Sequence, residues 1–394
     1  MSEIFSGDFS TMWSLGLRKP IQHLTWDWWW WLVMLDDEDG NPCGKQLMVL
    51  WSTKTNDLVH VNKTPWIPQG RPSEIVDGAY NIDGMVCAWW YDGIRMHEPI
   101  LKDVCKMTIV EDASSNWPST QNSGIGGGAI VPQLEGDCSM GLRSDLSSFW
   151  LHLQTTLPEQ RQIDFNLDIT PWNPTLSHAR HLQSDYIGGM GYDILRIHGA
   201  KVQGTVDGKQ HQGTAYFQKV CVQAPSPPWY WGVLHFEDGS YLDWFLPHLA
   251  LTVTSQTSRP WKQRDFNHIS LSQGGLFHDA VHHRTERFGK VRVNKKASLL
   301  SEASHGANPG APLPEFFVEL QNGRTSISIH VQAIERAHWH FDQPTRGGLW
   351  SHLTYNEYPL SVVNIEITDE HGTRTLDDYT WIRGNAEHSW GILH

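Results

Sequence analysis

Short apolar or alternating runs recur along this chain, separated by glycine, aspartate and asparagine, and long helical patterns are scarce. Examples are Gln46–Trp51, Met85–Tyr91, Asp164–Ile169, Gly213–Val222, Ser326–Ile334 and Leu360–Ile367. Tight-turn dipeptides punctuate the runs: Asp39-Gly40, Asp207-Gly208, Asp238-Gly239 and Asn322-Gly323. These residues tolerate positive φ, which tight hairpins require. The pattern predicts an all-β chain, in which closure into barrels would remove exposed strand edges. Two segments read as loops, Gly124-Ile125-Gly126-Gly127-Gly128 and Ala303–Pro314. The first has neither the GxGxxG order nor a following Lys-Ser/Thr, so it is not a phosphate-binding loop.

An internal echo divides the chain. Trp28-Trp29-Trp30-Trp31-Leu32-Val33-Met34-Leu35 runs into an acidic turn ending at Gly40 and a further apolar strand. Trp229-Tyr230-Trp231-Gly232-Val233-Leu234-His235-Phe236 does the same, ending its turn at Gly239, about half a chain length later. A second echo closes each half: Gly213-Thr214-Ala215-Tyr216 and Gly384-Asn385-Ala386-Glu387. Pro225-Ser226-Pro227-Pro228 lies between the halves and cannot sit in a central strand. With 394 residues, more than one core is expected. We place two related β domains at 1–224 and 225–394.

Tryptophan is the unusual residue, 21 against 13 Phe and 10 Tyr. Indoles build wide β cores, and they also wall sites for bulky unsaturated ligands. A formal charge of −13 disfavours nucleic acid, which needs clustered Lys and Arg. Five scattered cysteines without CxxC favour reduced thiols over a disulfide framework. Residues 1–19 lack a basic start followed by an apolar run, and Trp28–Leu35 is too short to span a bilayer. The expectation is a soluble cytoplasmic protein.

Asp27-Trp28-Trp29-Trp30, followed by a strand and an acidic turn, resembles the Glu-Trp-Trp-Tyr opening of the AttH-like and carotenoid 1,2-hydratase-like proteins. Gly213–Val220 is similar to the Gly-x-x-Tyr strand of that family, and Trp229–Gly239 to the aromatic hairpin after it. Gly384–Gly391 is similar to a family ending. The resemblance spans nearly the whole chain in order, through short motifs. It implies two tandem lipocalin-like β-barrel or sandwich domains and an apolar chamber at or near their junction. It also implies chemistry without a cofactor: hydration of isolated double bonds in isoprenoid chains, or, in lipocalin-like relatives, pericyclic cyclisation of polyenes. In the carotenoid hydratases a His-x-Trp pair precedes a Tyr-x-Asp pair. Here Tyr216 is present, but Gln218 stands where the acid would be, and no His-x-Trp lies at the matching upstream distance.

Hydrating an unactivated alkene means protonating carbon and capturing the cation with water. It needs a carboxyl kept protonated by burial. It needs aromatic faces, each worth roughly 0.5–2 kcal/mol to a cation. It also needs a polar group to aim water. Asp27, inside a run of indoles, is the first candidate acid, and Asp193, beside Tyr192, is the second. Tyr216 and Tyr192 are candidate donors or relays. Trp28, Trp30, Trp89, Trp90, Trp229 and Trp231 are the candidate wall, with Gln218, His235 and Glu387 as polar substrate contacts. Strand alternation means that about half of these should face elsewhere. Each has a plainer reading: core packing for the tryptophans, an ion pair for Asp27, a turn for Asp193, and a backbone-bonded phenol for Tyr216.

His278, Asp279, His282 and His283, or Glu335, His338 and His340, have no HExxH order or CxxC to support them, so no metal is expected. There is no GxSxG elbow and no cysteine in a nucleophile signature. The expected reading is a hydratase of a carotenoid or prenyl lipid, docking transiently on a bilayer surface to meet it. A polyene cyclase and a non-catalytic hydrophobic carrier remain as alternatives.

Overall fold

The computed structural model describes residues 6–7, 10–13, 20–21, 23–37, 39–54, 58–68, 79–110, 125–131, 138–143, 145, 147–157, 159–173, 175–176, 182–224, 228–250, 268–302, 312–344 and 346–393. Nearly all of them lie in strands, so the chain is all-β. The loop expected at Ala303–Pro314 and the proline segment at 225–228 fall mostly outside the described residues. Among the described residues, no helix is long and apolar enough to cross a membrane.

The first sheet has eleven strands. It runs from Met190–Val206 through Lys209–Gln223, Thr25–Asp36, Pro42–Lys54, Ala79–Tyr91 and Met96–Val110 to Gln162–Pro171. Gln162–Pro171 then pairs back onto Met190–Val206, Phe165 opposite Val206 and Pro171 opposite Ala200, and the sheet closes into a barrel. Closure satisfies backbone groups that an edge would leave open. On that edge Met190–Val206 pairs with two strands in turn, Met190–Leu195 with Leu182–Ile187 and Ala200–Val206 with Gln162–Pro171, while its other edge pairs with Lys209–Gln223 across a register break between Ile197 and Ala200.

The Gly124–Gly128 segment, expected as a loop, is instead mostly part of the barrel wall, in the strand Ile125–Ile130. A Cβ on Gly127 would lie 2.1 Å from the Trp13 ring, so the glycine is there to let an indole lie against the backbone.

The second sheet is laid on Trp229–Phe236, which pairs with Tyr241–Ala250 on one side and Ile382–Leu393 on the other. Ile382–Leu393 pairs with Trp350–Asp369, and the sheet continues through Ser326–Ala333 and Pro312–Gln321 to Lys290–Glu302. One ribbon crosses the sequence boundary. Val59–Val61 pairs with Ala337–Pro344, Val61 opposite Phe341, so residues 59–66 belong to the second sheet.

The two echoes occupy the same topological place. In each half the last long strand pairs with the first, Gly213 opposite Leu35 and Gly384 opposite Leu234. Side chains are excluded at both glycines. A Cβ at Gly213 would meet Met34 O at 2.1 Å, and one at Gly384 would meet Leu234 Cδ2 at 2.4 Å. Three residues on, Tyr216 and Glu387 take equivalent positions, opposite Leu32 and Trp231.

The tryptophan run does not alternate because both of its faces are buried. Trp29, Trp31, Val33 and Leu35 fill the barrel. Trp26, Trp30, Leu32 and Met34 face outward onto the second sheet, where they join Trp231, Val233, Trp339 and Tyr355 in a core between the sheets. Tyr230, Leu234 and Phe236 turn the other way, into the second sheet's own core. Polar clasps fix the seam. Arg383 bonds Asp36 and donates to Met34 O (3.2 Å), while Gln46 donates to Gly384 O (2.8 Å) and accepts from Asn385 (2.9 Å).

Candidate active site

Three neighbouring strands of the second sheet bring Trp231, Glu387 and Glu357 into one row: Trp231 opposite Glu387, and Glu387 opposite Glu357. Residues two apart on a strand share a face, so Trp229 joins Trp231 and Tyr355 joins Glu357. The barrel presents Trp30, Trp89 and Tyr216 to that face. Glu357, Glu387 and Tyr355 are buried.

Each carboxyl group presents one oxygen to a phenol and the other to an indole. Tyr355 Oη contacts Oε1 of both, at 2.7 Å from Glu387 and closer to Glu357. Trp229 Nε1 donates to Glu387 Oε2 at 2.5 Å, and Trp89 Nε1 donates to Glu357 Oε2. A phenol has one proton. It can donate to one carboxylate only, so the other contact requires a protonated carboxyl that donates back. Burial pushes Glu387 up to about 7, against the pull of Trp229 and Tyr355. Burial and the neighbouring Glu387 charge push Glu357 well above the ordinary carboxyl range. One proton therefore stays on the pair, which titrates as a unit.

Tyr216 links this pair to a second polar group. Its ring lies 5.6 Å from Trp30 and 5.0 Å from Trp231, both edge-on or tilted. The Arg196 guanidinium lies against its hydroxyl. Asp243 holds His198 Nε2 at 3.3 Å and faces Arg196 Nε at 3.9 Å. Burial raises the Asp243 carboxyl, but His198 and Arg196 outweigh it and hold the group below its ordinary value.

Of the candidates read from the sequence, Trp30, Trp89, Trp231, Tyr216 and Glu387 meet here, with half-buried Trp28 and Trp229 beside them. Gln218 lies opposite Trp30 and accepts from Tyr216 at 3.5 Å. Tyr192 sits further along, edge-on to Phe245 at 5.9 Å.

Others go elsewhere. Asp27 is a buried ion pair with Lys219 (2.6 Å), not a lone acid. Asp193 faces the opposite side of its strand from Arg196 and accepts from Ser184 and Tyr186 (2.7 Å to the phenol). Trp90 points into the barrel against Phe165, 5.0 Å away, because its neighbour Trp89 takes the seam. His235 is a structural bridge. A carbonyl only accepts, so Nε2–H donates to His198 O (2.6 Å) and Nδ1 accepts from Thr214 (2.9 Å). Burial holds its pKa down at about 3.

Sequence reasoning missed Glu357, Tyr355, Arg196 and Asp243. One signal was present. Tyr355-Asn356-Glu357 is a Tyr-x-acid spacing of the kind sought at Tyr216-Phe217-Gln218, placed instead in the second half. Among the described residues, no three His, Cys, Asp or Glu side chains converge as a metal ion needs.

No family model matches this chain, and no curated protein matches it. Solved structures similar to it in backbone include the following two. One is a protein assigned as AttH from Nitrosomonas europaea, at 10% identity and a TM-score of 0.49, covering 95% of this chain and 98% of that one. The other is kievitone hydratase from Nectria haematococca, at 10% identity and a TM-score of 0.39, covering 93% and 89%.

Proposed function

We propose that this protein adds water across a carbon–carbon double bond of an isoprenoid chain, with Glu357 and Glu387 as a joint acid and base. The supporting observation is the single phenol shared by two buried carboxyls, which keeps one proton on the pair at neutral pH. The pair's proton forms a C–H bond with one alkene carbon as the π bond breaks. The partner carbon becomes a tertiary cation, which the faces of Trp30 and Trp231 stabilise. Water forms the C–O bond and gives its surplus proton to ionised Glu387, on the less buried Trp229 side. Tyr355 passes a proton on to Glu357, and the pair returns to its starting state with one water consumed.

The test is incubation of the protein with farnesol or a longer prenyl lipid in heavy-oxygen water, read by mass spectrometry. Label uptake is expected, falling by about 10²–10⁴-fold in Glu357→Gln and Glu387→Gln. Full label uptake in both variants would overturn the assignment. A mass-neutral product points to cyclisation, and unchanged ligand bound tightly points to a carrier.

A further inference from the structure

We propose that Arg196 anchors a neutral oxygen of the substrate (hydroxyl, carbonyl or ether), so that the ligand is an oxygen-bearing isoprenoid rather than a bare hydrocarbon. Arg196 is buried at 6% exposure, on the barrel face that carries Tyr216 toward the seam. Its Nη1 donates to Gln183 Oε1 at 2.7 Å. Its Nε–H, by contrast, meets no acceptor among the described residues. The nearest carboxylate oxygen, Asp243 Oδ2, is 3.9 Å away, too far for a hydrogen bond. A buried donor without an acceptor is uncommon and marks a place where another group belongs.

The charge around it selects the class of oxygen. Asp243 already faces both Arg196 and His198, so the positive charge is matched. A carboxylate or phosphate would bring a second negative charge against Asp243. A neutral acceptor adds none. Tyr216 stands between Arg196 and the seam, and the glutamate pair lies beyond Trp231. A chain with its oxygen at Arg196 would run along the Trp30 and Trp231 faces. Its double bond at a fixed distance from the oxygen would then reach the glutamate pair. Arg196 thus sets which double bond reacts. That last step rests on the hydration reading; the anchoring itself does not.

The experiment separates the two. Quenching of tryptophan fluorescence gives the affinity of farnesol, farnesene and farnesoic acid for the wild type and for Arg196→Lys. Lysine keeps the charge that Asp243 needs but has no Nε–H. Expected is a farnesol preference over farnesene of about tenfold in the wild type, the worth of one hydrogen bond from a charged donor. In Arg196→Lys that preference disappears while farnesene affinity is unchanged. Equal binding of farnesol and farnesene by the wild type, a preference that survives in Arg196→Lys, or binding of neither overturns the anchor. Tighter binding of farnesoic acid than farnesol overturns the neutral-oxygen assignment. Heavy-oxygen label is read in the same samples. The expected binding pattern without label sinks hydration and leaves the anchor standing. Should Arg196→Lys fold poorly, the wild-type preference alone decides.

Discussion

Glu357 and Glu387 stand directly opposite each other on neighbouring strands and share the hydroxyl of Tyr355, 2.7 Å from Glu387. Two like charges so placed cannot both ionise at ordinary pH, because each raises the cost of charging the other. The arrangement keeps an acid and a base at the same point, in a setting with little water to compete.

The hydration rate should rise and then fall with pH. The first ionisation of the pair, which burial of Glu387 puts near 7, creates the base, and the second, which burial and the first charge push well above the ordinary carboxyl range, removes the acid. A plot of kcat/KM against pH should therefore show an ascending limb near 7 and a descending limb above it. A rate that only declines from pH 5 upward contradicts this order of ionisation.

Folding stability carries the opposite imprint. The folded-state pKa of Glu387 lies above the ordinary 4.5, so the folded protein holds a proton that the unfolded chain has released. Stability should therefore fall as pH rises from about 4.5 through about 7. Glu387→Gln has nothing to ionise, so its gain in Tm over the wild type should be larger at pH 8 than at pH 5. A gain that is the same at both values removes the burial argument.

Trp229→Phe keeps the aromatic bulk and deletes the donor at 2.5 Å from Glu387. A hydrogen bond to a charged group contributes about 1.5–3 kcal/mol, so losing it should move the ascending limb upward by about 1–2 pH units. An unmoved limb would mean that this indole does not hold the carboxylate.

Asp27→Asn leaves Lys219 buried beside an amide. Breaking one side of a buried pair should destabilise the fold by about 3–5 kcal/mol, seen as a lower urea midpoint. Turnover per folded molecule should persist. Lost turnover at an unchanged midpoint would return the acid role to Asp27.

Gly213→Ala places a methyl group 2.1 Å from the Met34 carbonyl, where only backbone could yield. Overpacking of this kind costs about 1–3 kcal/mol, measurable by urea unfolding. A change within about 0.5 kcal/mol would argue against the register that sets Gly213 opposite Leu35.

Much of the site was legible as strands but not as a site. The run Trp28–Trp31 announces burial on both faces, and the alternation rule separates Trp30 from Trp31 and Trp89 from Trp90 without saying which member meets a partner. Asp27 looked like an acid because indoles surround it in sequence. Lys219 neutralises it from a strand 192 residues away.

What the sequence alone determined was local. Turn glycines, period-two alternation and the echo of two aromatic hairpins are short-range properties of the chain, and they suffice to dictate an all-β structure. What only the tertiary structure decided was convergence. Glu357 receives its indole donor from Trp89, 268 residues away, and its carboxyl neighbour from the last strand. No local pattern encodes which of two apolar faces meets another sheet, and a carboxyl becomes an acid only when that meeting takes it out of water.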